Sequence, residues 1–187
     1  MLIVLSVVLG FVVTEWRQAS ANEALAQKAQ RSILTEIADN YRRVQQARRY
    51  HETMEDTLRT VDDTEVATGI VMKGFQGQSG IINPATVQTA AWDMAQSTGA
   101  LRHMKWENVN TLAQAYTRQQ FYTRHVDWFG RTLFDTAADR GPEGLMEATP
   151  GFFVVVSQFA SQERQLLRRY RTALRYFRRA VPSTTAR

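Results

Sequence analysis

From Phe11 to Thr68 the chain contains neither glycine nor proline, and no other feature constrains its fold so strongly. Inside a helix glycine costs about 1 kcal/mol and proline about 3 kcal/mol relative to alanine, so this stretch can stay helical for many turns. Its apolar residues repeat accordingly. Ile33, Ile37, Tyr41, Val44, Ala47, His51, Met54, Leu58 and Val61 recur at steps of three and four, which gathers them into one stripe on a helix. Arg42, Arg43, Arg48, Arg49, Glu52 and Asp56 lie opposite. A helix with one apolar face needs something to cover that face. Its end is expected at Asp62-Asp63-Thr64, where short acidic and hydroxyl side chains suit a terminus or a new N-cap.

The remainder of the chain supplies the covering elements. Gly69 to Pro84 holds four glycines (Gly69, Gly74, Gly77, Gly80) and reads as the main loop. A second helix is predicted from Ala85 to Thr98, with Val87, Ala91, Met94 and Ala95 on one side and Gly99 as its stop. A third runs from Glu107 to Asp135 on Val109, Leu112, Tyr116, Val126, Phe129 and Leu133, with Arg118 and Gln119 interrupting the stripe. Gly141-Pro142 and Pro150-Gly151 bracket a second loop. The last helix, Phe152 to Ala180, places Phe152, Val155, Phe159, Leu166, Tyr170, Leu174 and Phe177 in its stripe. The only β-like runs, Ile70 to Met72 and Phe153 to Val156, are short. Trp92, Trp106 and Trp128 read as core or loop-clamping residues. A chain of 187 residues holds one ordinary domain. The fold class is therefore all-α: an N-terminal transmembrane helix continuing into an up-and-down bundle of about four helices.

The membrane element is the run Met1 to Val13, uncharged and broken only by Ser6 and Gly10. From Met1 to Trp16 a helix covers about 24 Å, against roughly 30 Å of hydrocarbon. An uncleaved anchor, a secretory signal peptide and a buried core helix compete for it. Ala19-Ser20-Ala21 supplies a small-x-small cleavage site, but no Lys or Arg precedes the run and Glu15 and Arg17 crowd the cleavage region. Thirteen nearly uninterrupted apolar residues leave no polar face for a soluble helix. The anchor is the preferred reading, carried by Leu2, Ile3, Val4, Leu5, Val7, Val8, Leu9, Phe11, Val12 and Val13, with Trp16 and Arg17 at the interface. A start assigned too far downstream would account for both the short span and the missing basic flank. Arg17, Lys28 and Arg31 favour the cytoplasm for the side that bears them. The division that follows is an anchor at 1–17, a helical bundle at 18–181 and a disordered tail at 182–187.

Charge separates the two parts of the domain. Residues 1–150 carry 12 Arg and 3 Lys against 17 acids, whereas residues 151–187 carry 8 Arg against Glu163 alone. The surplus of five positive charges is thus a property of the last helix. There Arg164, Arg168, Arg171, Arg175 and Arg178 follow one another at steps of four and three, a basic stripe beside the apolar one, accompanied by Arg169 and Arg179. Such a stripe suits anionic lipid headgroups or an acidic protein partner, or is simply solvated. Nucleic acid ranks below these, because no recognised nucleic-acid module is present and the chain reads as membrane-bound; with Arg outnumbering Lys 20 to 3 throughout, arginine richness alone is weak evidence for it.

Few residues offer chemistry. The absence of cysteine removes disulfides, thiolate nucleophiles and cysteine-held metals. In HETMED, His51 and Glu55 stand one turn apart, as two helix-borne metal ligands would. The second histidine of the zinc-protease signature is missing, and so is the Glu three residues before a His that a di-iron bundle requires. A half-buried His beside solvated acids is the plainer reading. The glycines Gly74, Gly77 and Gly80 lack the Lys and Ser/Thr of a phosphate loop, and no Gly-x-Ser-x-Gly elbow occurs. No catalytic residue, metal or cofactor is assigned.

Two segments resemble a family. Val7 to Gln18 (VVLGFVVTEWRQ) is similar to the end of the N-terminal anchor in a widespread bacterial family of uncharacterised single-pass membrane proteins: an apolar Gly-containing helix, then a polar residue, Trp and charged or amide residues. Thr89 to Met104 (TAAWDMAQSTGALRHM) resembles that family's second signature, an aromatic in a helix followed by Thr-Gly-Ala-Leu, and Tyr116 to Gln119 provides its later Tyr-x-x-Gln step. Members usually carry basic residues before the anchor, which this chain lacks. The resemblance implies a bacterial inner-membrane protein with an extracytoplasmic, periplasmic bundle, and no established catalytic residues. The expected function is that of a membrane-anchored interaction protein, an accessory or scaffolding subunit that contacts a protein partner or a second copy of itself. A ligand-binding sensor bundle is the alternative and a metal enzyme using His51 and Glu55 the third.

Overall fold

The computed structural model describes residues 2–60, 69, 82–147 and 149–180, apart from the side chains at 2–12, 137, 142–143, 145–147, 149–150 and 180. The expected acidic break at Asp62 to Thr64, most of the glycine loop and the tail at 182–187 lie outside these residues. Every described element is helical: α1 (Leu2–Arg59), α2 (Ala90–Ser97), a single 3-10 turn (Ala100–His103), α3 (Trp106–Glu147) and α4 (Thr149–Ala180). The β-like run Phe153 to Val156 is helix within α4.

Three long helices form the bundle. His51 of α1 meets Glu163 of α4 and Tyr41 meets Arg171, so α1 and α4 are antiparallel. On the other side Gln114 of α3 meets Arg169 and Asn108 meets Tyr176, so α3 is also antiparallel to α4. α1 and α3 therefore run parallel, and a return segment connects them. The expected second helix from Ala85 is not that segment. Residues 82–89 form neither helix nor strand, and helix begins only at Ala90. The up-and-down path survives, with a strap and a short helix in place of one long helix. Val87 consequently belongs to the strap, and Met94 is 63% exposed.

The predicted stripes are the core. Ile33, Ile37 and Val44 of α1, Leu112 and Tyr116 of α3, and Phe159, Leu166, Tyr170 and Phe177 of α4 are buried in one cluster. Its stabilisation comes from apolar area withdrawn from water, roughly 1.5–3 kcal/mol for each large side chain. Turn chemistry closes the ends. Gly99 adopts φ 73° between α2 and the 3-10 turn, a left-handed conformation that glycine takes without steric cost. The Thr-Gly-Ala-Leu segment thus reverses the chain, while Trp92 stacks on Tyr116 with centroids 4.8 Å apart. The predicted second loop is much shorter than expected. α3 breaks at Gly141 (φ 60°, ψ −160°), resumes its turns to Glu147, and α4 starts at Thr149. Pro142 and Pro150 fall in first turns, where a missing N–H removes no helix bond.

Candidate functional site

A non-helical segment inside a helical bundle exposes backbone groups that no neighbouring strand can bond, and leaving them unpaired would be costly. Polar side chains set within the apolar stripes solve this. Asn40, buried on α1, donates from Nδ2 to the Gln88 carbonyl at 2.8 Å and accepts the Gln88 N–H at 2.9 Å. Gln119 of α3 donates to the same carbonyl at 2.8 Å and accepts from the Tyr170 hydroxyl. Glu36 accepts the Ala91 N–H at 2.8 Å and the Tyr116 hydroxyl at 2.6 Å. Tyr122 accepts the Ala85 N–H at 2.8 Å and donates to Glu163 at 3.2 Å. The ladder ends at His51, whose Nε2 accepts the Asn83 N–H at 3.2 Å while Nδ1 lies 3.0 Å from both Glu163 oxygens.

The geometry assigns the histidine tautomer. An N–H already points at Nε2 from Asn83, so the ring hydrogen is on Nδ1 and is donated to Glu163. Burial pushes the Glu163 carboxyl up, and the bonds from His51 and Tyr122 pull it partly back. Burial likewise raises the Tyr116, Tyr122 and Tyr170 hydroxyls far above the ordinary tyrosine range, with Glu36 adding to the shift at Tyr116 and Glu163 at Tyr122.

These positions change the reading of several residues. Gln119, expected to interrupt the α3 stripe, is 1% exposed and part of the core. His51 is fully buried, with Glu163 as its partner across the bundle. Glu55 instead pairs with Arg59 at 2.8 Å, so the helix-borne His51/Glu55 pair does not come together. Among the described residues no group of three His, Cys, Asp or Glu is placed to hold a metal. Trp92 is half-buried and stacked on Tyr116, whereas Trp106 and Trp128, read as core or loop-clamping residues, are 75% and 58% exposed and lie outside the core. Sequence reasoning missed Tyr122 and Glu163. Both stood at stripe positions, Tyr122 midway between Tyr116 and Phe129, and Glu163 one turn from both Phe159 and Leu166.

The arginines of α4 all face outward, yet not equivalently. Arg171 donates to the Tyr41 hydroxyl at 3.1 Å and Arg164 approaches Glu52 at 3.9 Å, both on the α1 side. Arg169 leans the other way, to Gln114 of α3 at 3.0 Å. Arg168, Arg175 and Arg178 are exposed with no carboxylate in ion-pair reach among the described residues. On α3 the exposed apolar side chains include Phe121, Trp128 and Phe134. An apolar groove of about 180 Å³ lined by Trp128, Phe129, Leu133, Phe152 and Val155 runs beside them.

The expected transmembrane helix is not found as a spanning element. The backbone of Leu2 to Val13 forms the first turns of α1, about 18 Å of helix. Val13 and Trp16 are exposed, and Glu15 and Arg17 follow at once. No helix among the described residues is long and apolar enough to cross a membrane. In comparisons with known proteins, no family model, no curated protein and no solved structure matches this chain.

Proposed function

We propose that this is a helical interaction protein, an accessory or scaffolding subunit of a membrane-associated assembly, working through contacts with no chemistry of its own. The observation that carries this reading is the outer face of α4, where Arg168, Arg175 and Arg178 project without acidic partners among the described residues. A solvated row of like charges contributes little to a fold, whereas it directs and orients an acidic partner. The buried polar residues support the reading from the other side, since both ring nitrogens of His51 are engaged in holding the strap.

A protein surface fits the row better than anionic lipid. The pairs His51–Glu163 and Tyr41–Arg171 set the antiparallel register of α1 and α4, which carries the end of α4 back toward the part of α1 that holds Ile33. Twenty residues separate Ile33 from Val13, about 30 Å of helix, while charge is screened within about 8 Å at physiological salt. With the apolar run inserted end-on, the arginines stand well clear of the headgroups. Replacing Arg168, Arg175 and Arg178 by Glu is expected to release the partner co-purified in mild detergent while leaving the helical circular dichroism unchanged. Retention of the same subunits by the triple variant would overturn the role of this face.

The apolar run Leu2 to Val13 serves in this reading as the membrane attachment, inserted to limited depth because its helical length is well below that of the hydrocarbon layer. After carbonate or high-salt washing the full chain is expected in the membrane pellet. Recovery in the supernatant would remove the attachment from the proposal.

A further inference from the structure

The flank where α3 meets α4 carries an open recess of about 340 Å³, walled by Gln114, Thr117, Arg118 and Phe121 of α3 and bordered on α4 by Arg169. Its charge is one-sided. Arg118 donates to the side-chain oxygen of Gln162, and Arg169 donates to that of Gln114 at 3.0 Å. Both acceptors are neutral amides. Among the described residues no carboxylate lies within ion-pair distance of either guanidinium.

The two arginines are held together against their charge. Burial, and then the like charge of Arg169, push the Arg118 pKa down, and Nε of Arg118 is buried without a hydrogen-bond partner. His125 offers no relief, since burial and Arg118 both disfavour its charged form. The rest of the wall is mixed, Asn110 and Thr117 polar and Ala113 and Phe121 apolar; Phe121 is 51% exposed and offers the aromatic surface, with the Arg124 guanidinium 4.6 Å from its ring centroid. Paired guanidiniums match the oxygens of a carboxylate or phosphate in fork geometry. A recess of this volume is in the range of small-molecule sites, which leaves room for an organic body beside the charged group.

We propose that the recess binds an organic oxyanion, a carboxylate or phosphate monoester whose charged group sits between Arg118 and Arg169 and whose apolar body packs on Phe121. This site is separate from the outer arginine row of α4. Glu replacement of Arg168, Arg175 and Arg178 leaves the recess residues in place, so the two ideas succeed or fail independently.

Calorimetric titration of the full chain at low salt, with phenyl phosphate, benzoate and inorganic phosphate as probes, tests the assignment. At least one of the organic anions is expected to bind more tightly than inorganic phosphate, and the tighter one identifies the charged group. Arg118→Gln and Arg169→Gln should each weaken that binding about ten- to hundred-fold, as loss of a charge-assisted hydrogen bond does. Phe121→Ala should weaken the organic anions and leave inorganic phosphate unaffected. Arg169 is exposed, so its variant decides the matter even where Arg118→Gln impairs folding. The melting temperature provides a second readout. Without ligand Arg169→Gln should melt at the wild-type temperature or above it, because a repulsive charge has been removed, whereas a purely structural arginine would lower it. No binding of any probe up to about 10 mM, tenfold weaker than a millimolar site, would overturn the proposal. So would equal affinity for inorganic phosphate and both organic anions, or affinities unchanged by the arginine variants.

Discussion

Raising the pH above about 10 is expected to unfold the protein cooperatively, with stability falling by about 4 kcal/mol per pH unit. Tyr116, Tyr122 and Tyr170 are between 0% and 2% exposed, and burial holds all three hydroxyls protonated well beyond their ordinary value of 10.0. The sign follows from linkage. A group whose folded pKa lies above its unfolded one contributes stability that is complete below the unfolded pKa and is lost as pH rises toward the folded one. Each such tyrosine costs about 1.4 kcal/mol per unit in that window. With three acting together, a domain of ordinary stability, roughly 5–15 kcal/mol, reaches its midpoint one to a few units above pH 10. Urea denaturation followed by circular dichroism at about pH 9, 10 and 11 measures the slope. Tyr122→Phe should reduce it by about one third, because one titrating group has gone. A denaturation midpoint that stays flat across this range, or tyrosinate absorbance that develops fully in the folded protein, would refute the assignment.

Replacing Glu163 by Ala is expected to cost about 3–5 kcal/mol, the sum of two stranded donors and a small cavity. The carboxylate is the shared acceptor of His51 and Tyr122, and its side chain is fully buried. Its loss leaves an imidazole N–H and a phenol O–H facing apolar surroundings that include Phe159, which stacks on His51 at 5.3 Å. Glu163→Gln keeps one acceptor oxygen and should cost substantially less. The damage should also be local. His51 and Tyr122 are the acceptors for the Asn83 and Ala85 N–H groups, so those two amides should exchange with solvent faster in Glu163→Ala. Gln88 and Ala91, held by Asn40 and Glu36, should keep their protection. Uniform acceleration along the strap, or a cost below about 1 kcal/mol, would show that the ladder is not what retains the segment.

Legibility in the sequence followed the range of the interaction. The helices and their inward faces were readable because a stripe depends on residues three and four apart, and Ile33, Ile37, Val44, Phe159, Leu166 and Phe177 are buried where that spacing puts them. Element ends were less accurate. The second helix was expected to begin at Ala85, but the backbone donors of Asn83, Ala85 and Gln88 find acceptors on distant helices, and those bonds hold the segment out of a helix. Trp106 and Trp128 failed for the complementary reason: an indole on a helix does not specify which face its neighbours will cover.

What the amino-acid sequence determined by itself is the all-helical class, the apolar stripes and the concentration of positive charge in α4, each a consequence of local periodicity and composition. The tertiary structure decided the meaning of the polar residues. His51 has Glu55 one turn away, yet its partner is Glu163, 112 positions distant. Asn40 and Gln119 look like flaws in apolar faces until the fold brings them to each other and to the Gln88 carbonyl of the strap. A helix dictates which side chains share a face over a few residues, whereas a buried donor is satisfied by whichever acceptor packing brings within 3 Å or so. That choice belongs to the assembled bundle.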